Sequence, residues 1–374
     1  MIHTNIRHLY VVFALIVACV GIATAQQLVV RRPAEGEEDW RLLRKALDFY
    51  DAANYGDALA YAELAKQSRR REIEWREFSL DTAQRSRDVR RAGDNLTDVL
   101  PVLEANGQTA AKSIIEETLN RYGESFFGNS FQKVKDFIAL QDAYPEADFL
   151  IGKIYRVEGE SALAFDFMNR ALRGARWLDV MNQQYDMLYE LADLSYDLGR
   201  LDDYEKYLLL VLKDDRFYTN PSFMNAMLRT LGTETPDAVE KFFLLYRDEN
   251  DIPLEACALL SDYYKERNQL KKALECSALG AVISFSKLFY ILRDRIPTYN
   301  YTNLSDLLLK AADYEDIVVW GNNNKVWELF YSLSQIAAAY GKPVFSRTLL
   351  EVLASAEPEP YWQKKATASL AGSE

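Results

Sequence analysis

Two helix-patterned stretches joined by a tight turn recur along this chain, and that recurrence constrains its fold more than any other feature. In the run Leu191 to Leu208 one apolar helix ends at Gly199 and a second opens two residues later. The same frame surrounds Gly159: Gly152 lies seven residues before it, Tyr155 four before, and Ala164, Met168 and Ala171 lie five, nine and twelve after. Around Asn268 those places hold Ser261, Tyr264, Ala273, Ser277 and Gly280. Near the N-terminus they hold Ala46, Phe49, Ala58, Ala62 and Ala65, with Ala53 where the glycine belongs. A fifth frame near the C-terminus places Leu333, Ser334, Gly341, Ser346, Leu350 and Leu353. Gly199 and Asn268 are 69 residues apart, which is room for two periods, and Thr233 supplies a hidden turn between them with Ala226 and Ala238 at the small positions. Phe137, Leu140 and Tyr144-Pro145 fit the end of a further frame, from which Lys133 departs. Small residues before and after the turn matter because they let the two helices approach closely; a leucine there would overpack the contact by roughly 1–3 kcal/mol.

These residues resemble the tetratricopeptide repeat, a helix pair of about 34 residues with small, aromatic and glycine positions in this order. The resemblance implies an all-α fold, a right-handed α-solenoid of stacked antiparallel helix pairs. It covers about two thirds of residues 26–374; within the repeat region, 39–356, it is degenerate at 69–125 and 284–325, which read as helix pairs without the signature. Residues 26–38, with Pro33 and Gly36, read as a flexible tether before a first helix that Asp39 is placed to cap. At the other end Pro358 and Pro360 break the last repeat, and 357–374 read as a short capping helix, Tyr361 to Leu370, with a frayed tail.

Residues 1–25 read as a signal peptide: Arg7 leads, Leu9 to Ile22 is apolar, and Ala23-Thr24-Ala25 offers a cleavage site before Gln26. Two other readings stay open, a lipoprotein signal with Cys19 as the lipidated residue and an uncleaved anchor. The expected location is periplasmic or secreted, with membrane association only if Cys19 is lipidated. The net charge of −12 becomes −13 once Arg7 leaves with the signal, a balance that argues against nucleic acid as a partner.

Both histidines, His3 and His8, fall within the leader. What remains has no imidazole for general-base work, for nucleophile triads or for zinc, so the expectation is a non-enzyme with no cofactor and no metal site. After Cys19 only Cys257 and Cys276 remain, on the two helices of one expected hairpin. A disulfide between them is one reading, allowed by export; two small buried apolar residues is the other. Gly123 to Ser130 has the outline of a phosphate loop but carries Asn129 where the lysine must be, and reads as a turn. Ser284-Phe285-Ser286-Lys287 matches the S-x-x-K pattern of acylating enzymes without its companion motif, a coincidence common at this chain length. Paired carboxylates for glycoside chemistry have no compact domain to sit in.

One region has contrary charge: Arg69, Arg70, Arg71, Arg76, Arg85, Arg87, Arg90 and Arg91. Interleaved acids make it a solvated helix face with i,i+4 pairs; the competing reading is a docking patch for an acidic partner or anionic lipid. In the tetratricopeptide family partner peptides lie along the first helices of the repeats. Carried onto this chain, that groove takes Phe149, Lys153, Arg156, Tyr189, Asp193, Tyr196, Phe223, Met227, Asp262, Lys265, Tyr331 and Gln335. The family's carboxylate clamp is not matched, since Phe149 and Lys153 occupy its places. The resemblance therefore implies an exported scaffold or adaptor binding one or more envelope or exported proteins; the alternative is a binding protein for a small or lipidic ligand held between the helices.

Overall fold

The six turns of one geometry that join the helices are the key to this structure, a computed structural model describing residues 33–34, 36–84, 97–117, 138, 142–235, 237–245 and 249–372. All regular structure among the described residues is helical. Ala53, Gly107, Gly159, Gly199, Asn268 and Gly341 all adopt left-handed φ, between +56° and +82°. Each donates its N–H to the carbonyl three residues back, and the next residue donates to the carbonyl five back, at 2.8–3.1 Å. This paired bonding satisfies the free carbonyls of the first helix and reverses the chain at once. Five of the six are the turn positions of the sequence frames. The sixth, Gly107, joins helical segments 97–105 and 109–117 inside the stretch read as degenerate. The hidden frame differs: Thr233 is not left-handed, and Gly232 and Thr233 each bond three residues back.

The chain divides into two compact units, Met1–Met181 and Asn182–Glu374. In the first, α1 (Asp39–Asp51) pairs with α2 (Tyr55–Gln84), and α3 (Pro145–Val157) pairs with α4 (Ser161–Arg173), with α2 packed on α3. Prolines at the helix starts, as at α3, fix φ where no amide donor is needed. Ala46, Ala58, Ala62, Leu150, Ile151 and Ile154 form the shared core, ringed by Phe49, Tyr61, Tyr155 and Phe167. The small frame residues behave as their size demands: a Cβ on Gly152 would meet Met168 Cγ at 2.7 Å and the Ala164 carbonyl at 3.3 Å. Asp148, buried on α3, is clamped by Lys66 of α2 and Arg170 of α4, each at 2.9 Å.

The expected tether is bound at its C-terminal end. Arg71 pairs with Glu37 at 3.8 Å, Ser68 donates to the Glu37 carbonyl, and Arg69 pairs with Asp39 at 3.1 Å. Asp39 is not the cap of α1; Glu38 holds that position and Asp39 is the first helical residue, its carboxylate turned to Arg69.

The second unit contains α5 (Gln183–Asp197), α6 (Leu201–Lys213), α7 (Pro221–Leu231), α8 (Ala238–Phe243), α9 (Leu254–Glu266), α10 (Leu270–Arg295), α11 (Leu304–Ala312), α12 (Glu315–Asn323), α13 (Val326–Ala339), α14 (Pro343–Ala356) and α15 (Pro360–Ala371). Three hairpins stack directly: α6 of the α5–α6 pair lies on α9, and α10 of the α9–α10 pair lies on α13 of the α13–α14 pair. Helix α15 then packs on α14 and α13, where a capping helix is expected.

The hidden repeat forms a hairpin, α7–α8, but does not enter the stack between α6 and α9. Instead α8 packs on α10, α11 and α14, and α11 joins α10 and α14. Its aromatic content supplies the reason. Phe242 and Phe243 of α8 are fully buried and meet Phe285, Phe330 and Phe345 at ring-centroid distances of 5.3–5.4 Å. That cluster needs α8 against the C-terminal half of α10, which at 26 residues is long enough to serve both the stack and this second group of helices. By length and composition α10 is a candidate membrane span, but 72% of its apolar window is buried by these neighbours.

Cys257 and Cys276 are both buried and both free, so the disulfide reading is not met. Cys257 faces Gly280, one turn beyond Cys276 on α10: a Cβ on that glycine would lie 2.9 Å from Cys257 Cβ. Burial pushes both thiols up, away from the reactive thiolate.

Candidate interaction surface

The first helices of the stacked hairpins, α5, α9 and α13, carry the residues the repeat frame assigns to a groove. Asp193 and Tyr196 on α5 and Asp262 and Lys265 on α9 are exposed, and Tyr331 and Gln335 on α13 are half-exposed. These side chains feel one another across helices. Partial burial and then Asp193 push the Glu255 carboxyl of α9 up, while Lys325 draws it down. Burial and then Glu328 of α13 raise the Asp262 carboxyl, opposed by Lys265 and Lys325. Lys325 precedes α13 in a left-handed conformation, φ +54°, unusual for a side chain of its size.

Other assigned residues do different work. Tyr189 is a tie between helices: its hydroxyl donates to the Ile252 carbonyl at 2.7 Å and accepts the Ala256 N–H at 3.1 Å, fixing α5 to the start of α9. Phe149 and Met227 are core residues, 6% and 0% exposed, and Phe223 packs its ring 4.9 Å from Phe217. Met227 is buried and Phe223 half-exposed on α7, which lies outside the stack. In the first unit Lys153 sets its ammonium over Tyr50 at 4.9 Å and Phe149 at 5.8 Å, and Arg156 is half-buried beside it on α3.

Sequence reasoning missed the acids at the start of each first helix. Glu146, Asp186, Glu255 and Glu328 all stand thirteen residues before a turn residue, at the second position of the frame. The signal was available, since that position belongs to the same groove set. A carboxylate in a first turn is also favoured by the helix dipole, which alone gives each a reason to be there.

Four arginines of the basic patch lie among the described residues. Arg69 pairs with Asp39 at 3.1 Å, Arg70 with Asp142 at 3.6 Å, Arg71 with Glu37 at 3.8 Å and Arg76 with Glu72 at 3.1 Å. Only the last is an i,i+4 pair. The others fasten distant segments to α2, and Arg69 also stacks on Tyr144 at 4.0 Å, so each of these four arginines has an acidic partner within the fold. Arg85, Arg87, Arg90 and Arg91 lie outside the described residues, as do the Gly123–Ser130 segment and the leader. In the S-x-x-K segment Ser284 is fully buried, whereas Lys287 reaches Asp251 at 3.2 Å and the Glu249 carbonyl at 3.4 Å. Among the described residues no three His, Cys, Asp or Glu side chains converge to hold a metal ion.

Fold and surface together define the class: an all-helical protein assembled from hairpins that share one turn geometry. No family model matches the chain. An uncharacterized protein of Treponema pallidum (strain Nichols) is 31% identical to it over 339 residues, 90% of each protein, and the chain belongs to that protein's family.

Proposed function

We propose that this protein is an exported adaptor of tetratricopeptide type, a solenoid that binds one or more envelope proteins along the first helices of its stacked hairpins. The observation that carries the reading is that Asp193 and Tyr196 on α5, Asp262 and Lys265 on α9, and Tyr331 and Gln335 on α13 are exposed or half-exposed on the first helices of directly packed hairpins. The support is threefold: the repeated turn, the close helix approaches at Gly152 and Gly280, and an exposed aromatic, Tyr196, 56% accessible although one side of its ring rests 5.3 Å from Tyr204. Exposed rigid aromatics flanked by charge are efficient anchors for a partner.

Affinity capture of the tagged chain from its own cells tests the reading against a triple variant, Asp193→Lys, Tyr196→Ser and Asp262→Lys. A stoichiometric partner retained by the native chain and lost by the variant, with thermal melts unchanged, is the expected result. Capture of nothing, or equal capture by both, would remove this face as the binding surface. Mass spectrometry of the mature N-terminus tests export, with Gln26 the expected first residue.

A further inference from the structure

Where α13 meets α15, three aromatic rings form a cup. Tyr361 and Trp362, adjacent in the first turn of α15, stand with centroids 4.9 Å apart and planes at 81°. Tyr331 of α13 closes the third side, 5.5 Å from Trp362. Into this cup the fold sends its own cation: the Lys365 ammonium lies 4.8 Å from Tyr361, 4.8 Å from Trp362 and 5.8 Å from Tyr331. Ring faces carry negative potential, and a cation within about 6 Å of several of them is held by all. Glu328, one turn before Tyr331, adds a negative charge to the same place and, behind contact with Tyr361, helps push the Lys365 ammonium up.

Hydrogen bonds brace the walls of the cup. Glu359 accepts the N–H groups of Tyr361 at 2.9 Å and Trp362 at 3.1 Å, which sets the turn that bears both rings. Tyr331 is held from behind by a hydroxyl contact to Ser369 at 2.9 Å. Tyr361 itself is 54% exposed, so its ring lines the cup without being needed by the core. Lys365, by contrast, is a four-carbon chain that gives up rotamer freedom to stay in place, and its ammonium is strongly hydrated when released. A methylated ammonium gains more from the same rings because it loses less hydration on entering them. We propose that the α13–α15 corner is a binding site for a quaternary ammonium group, with Lys365 as a built-in competitor that the ligand displaces. This does not depend on the adaptor reading, since a chain without a protein partner would hold a small organic cation equally well.

The test is titration of the full chain with tetramethylammonium and choline, followed by calorimetry and by the Trp362 indole resonance. The uncharged isostere 3,3-dimethylbutanol is the control. Lys365→Ala is expected to bind both cations at least about tenfold more tightly than the native chain and to ignore the isostere. Adding Tyr361→Leu to Lys365→Ala, an exchange at an exposed ring, is expected to return affinity to the native level or below while the thermal melt is unchanged. Vesicles of phosphatidylcholine distinguish the source: binding competed by free choline assigns a lipid headgroup, and free choline binding without vesicle binding assigns a soluble ligand. The proposal is overturned if Lys365→Ala binds neither cation or binds them no more tightly than the native chain. It is equally overturned if the isostere binds as well as the cations, or if the Tyr361→Leu exchange leaves affinity intact.

Discussion

Ala53 adopts φ +56° at a turn whose equivalents at 159, 199 and 341 are glycines. A side chain in the left-handed region costs roughly 1–2 kcal/mol, partly offset by the smaller entropy an alanine loses on folding. Ala53→Gly is therefore expected to stabilise the first unit by about 0.5–1 kcal/mol in urea unfolding, and Gly159→Ala to destabilise it by about as much. No atom stands within 4 Å of where the Gly159 Cβ would be, so that penalty is conformational and not steric. Glu357 offers a second test at this scale. Its carboxyl is 4% exposed, neither oxygen has a side-chain partner, and burial pushes it well up from the ordinary carboxylate range. A raised carboxyl keeps its proton in the folded state, so this group's contribution to stability is fully present below its unfolded value and is lost as pH rises from there toward the folded value. Glu357→Gln should raise stability at pH 7.5 by about 1–3 kcal/mol, a gain that vanishes near pH 4, read from denaturant midpoints across pH.

Between elements, Glu205 of α6 is the clearest joint. It accepts from Tyr264 of α9 at 2.6 Å and pairs with Lys272 of α10 at 3.2 Å, binding one hairpin to the next. Burial opposes its charge, but the Tyr264 hydrogen bond and Lys272 outweigh it and hold the carboxyl below its usual range. A lowered carboxyl contributes above its unfolded value and loses that contribution as pH falls through the folded one. Glu205→Gln is thus expected to cost about 1–2 kcal/mol at pH 7, and the gap from the native chain to close below about pH 4, measured by chemical unfolding. The turns were legible in the sequence because a left-handed residue with small neighbours at fixed offsets leaves a local mark. Joints such as Glu205 or Asp148 left none: each depends on carboxylate and cation meeting across 22 to 82 residues, with Lys66 and Asp148 at one extreme and Asp148 and Arg170 at the other, and no periodicity encodes that.

At the scale of the molecule, the same limit explains the misplaced repeat. Composition and offsets announce a hairpin around Thr233, and one forms; whether it joins the stack is decided by where Phe242 and Phe243 find other rings. Of the groove residues, those on stacked first helices are largely exposed or half-exposed, whereas Met227 and Phe223 lie on α7 outside the stack, Met227 fully buried. The second unit has its own aromatic core, so residues 182–374 expressed alone should be helical by circular dichroism and unfold in one cooperative transition; a gradual, non-cooperative melt would show that this core does not suffice. Because α10 is a wall common to the stack and to the group of α8 and α11, hairpins here are not interchangeable beads. Duplicating or deleting one between α7 and α14 would strand part of that wall in water, so evolution can lengthen such a protein only at its ends or in its turns, and members of the family should keep this helix count fixed while their termini drift.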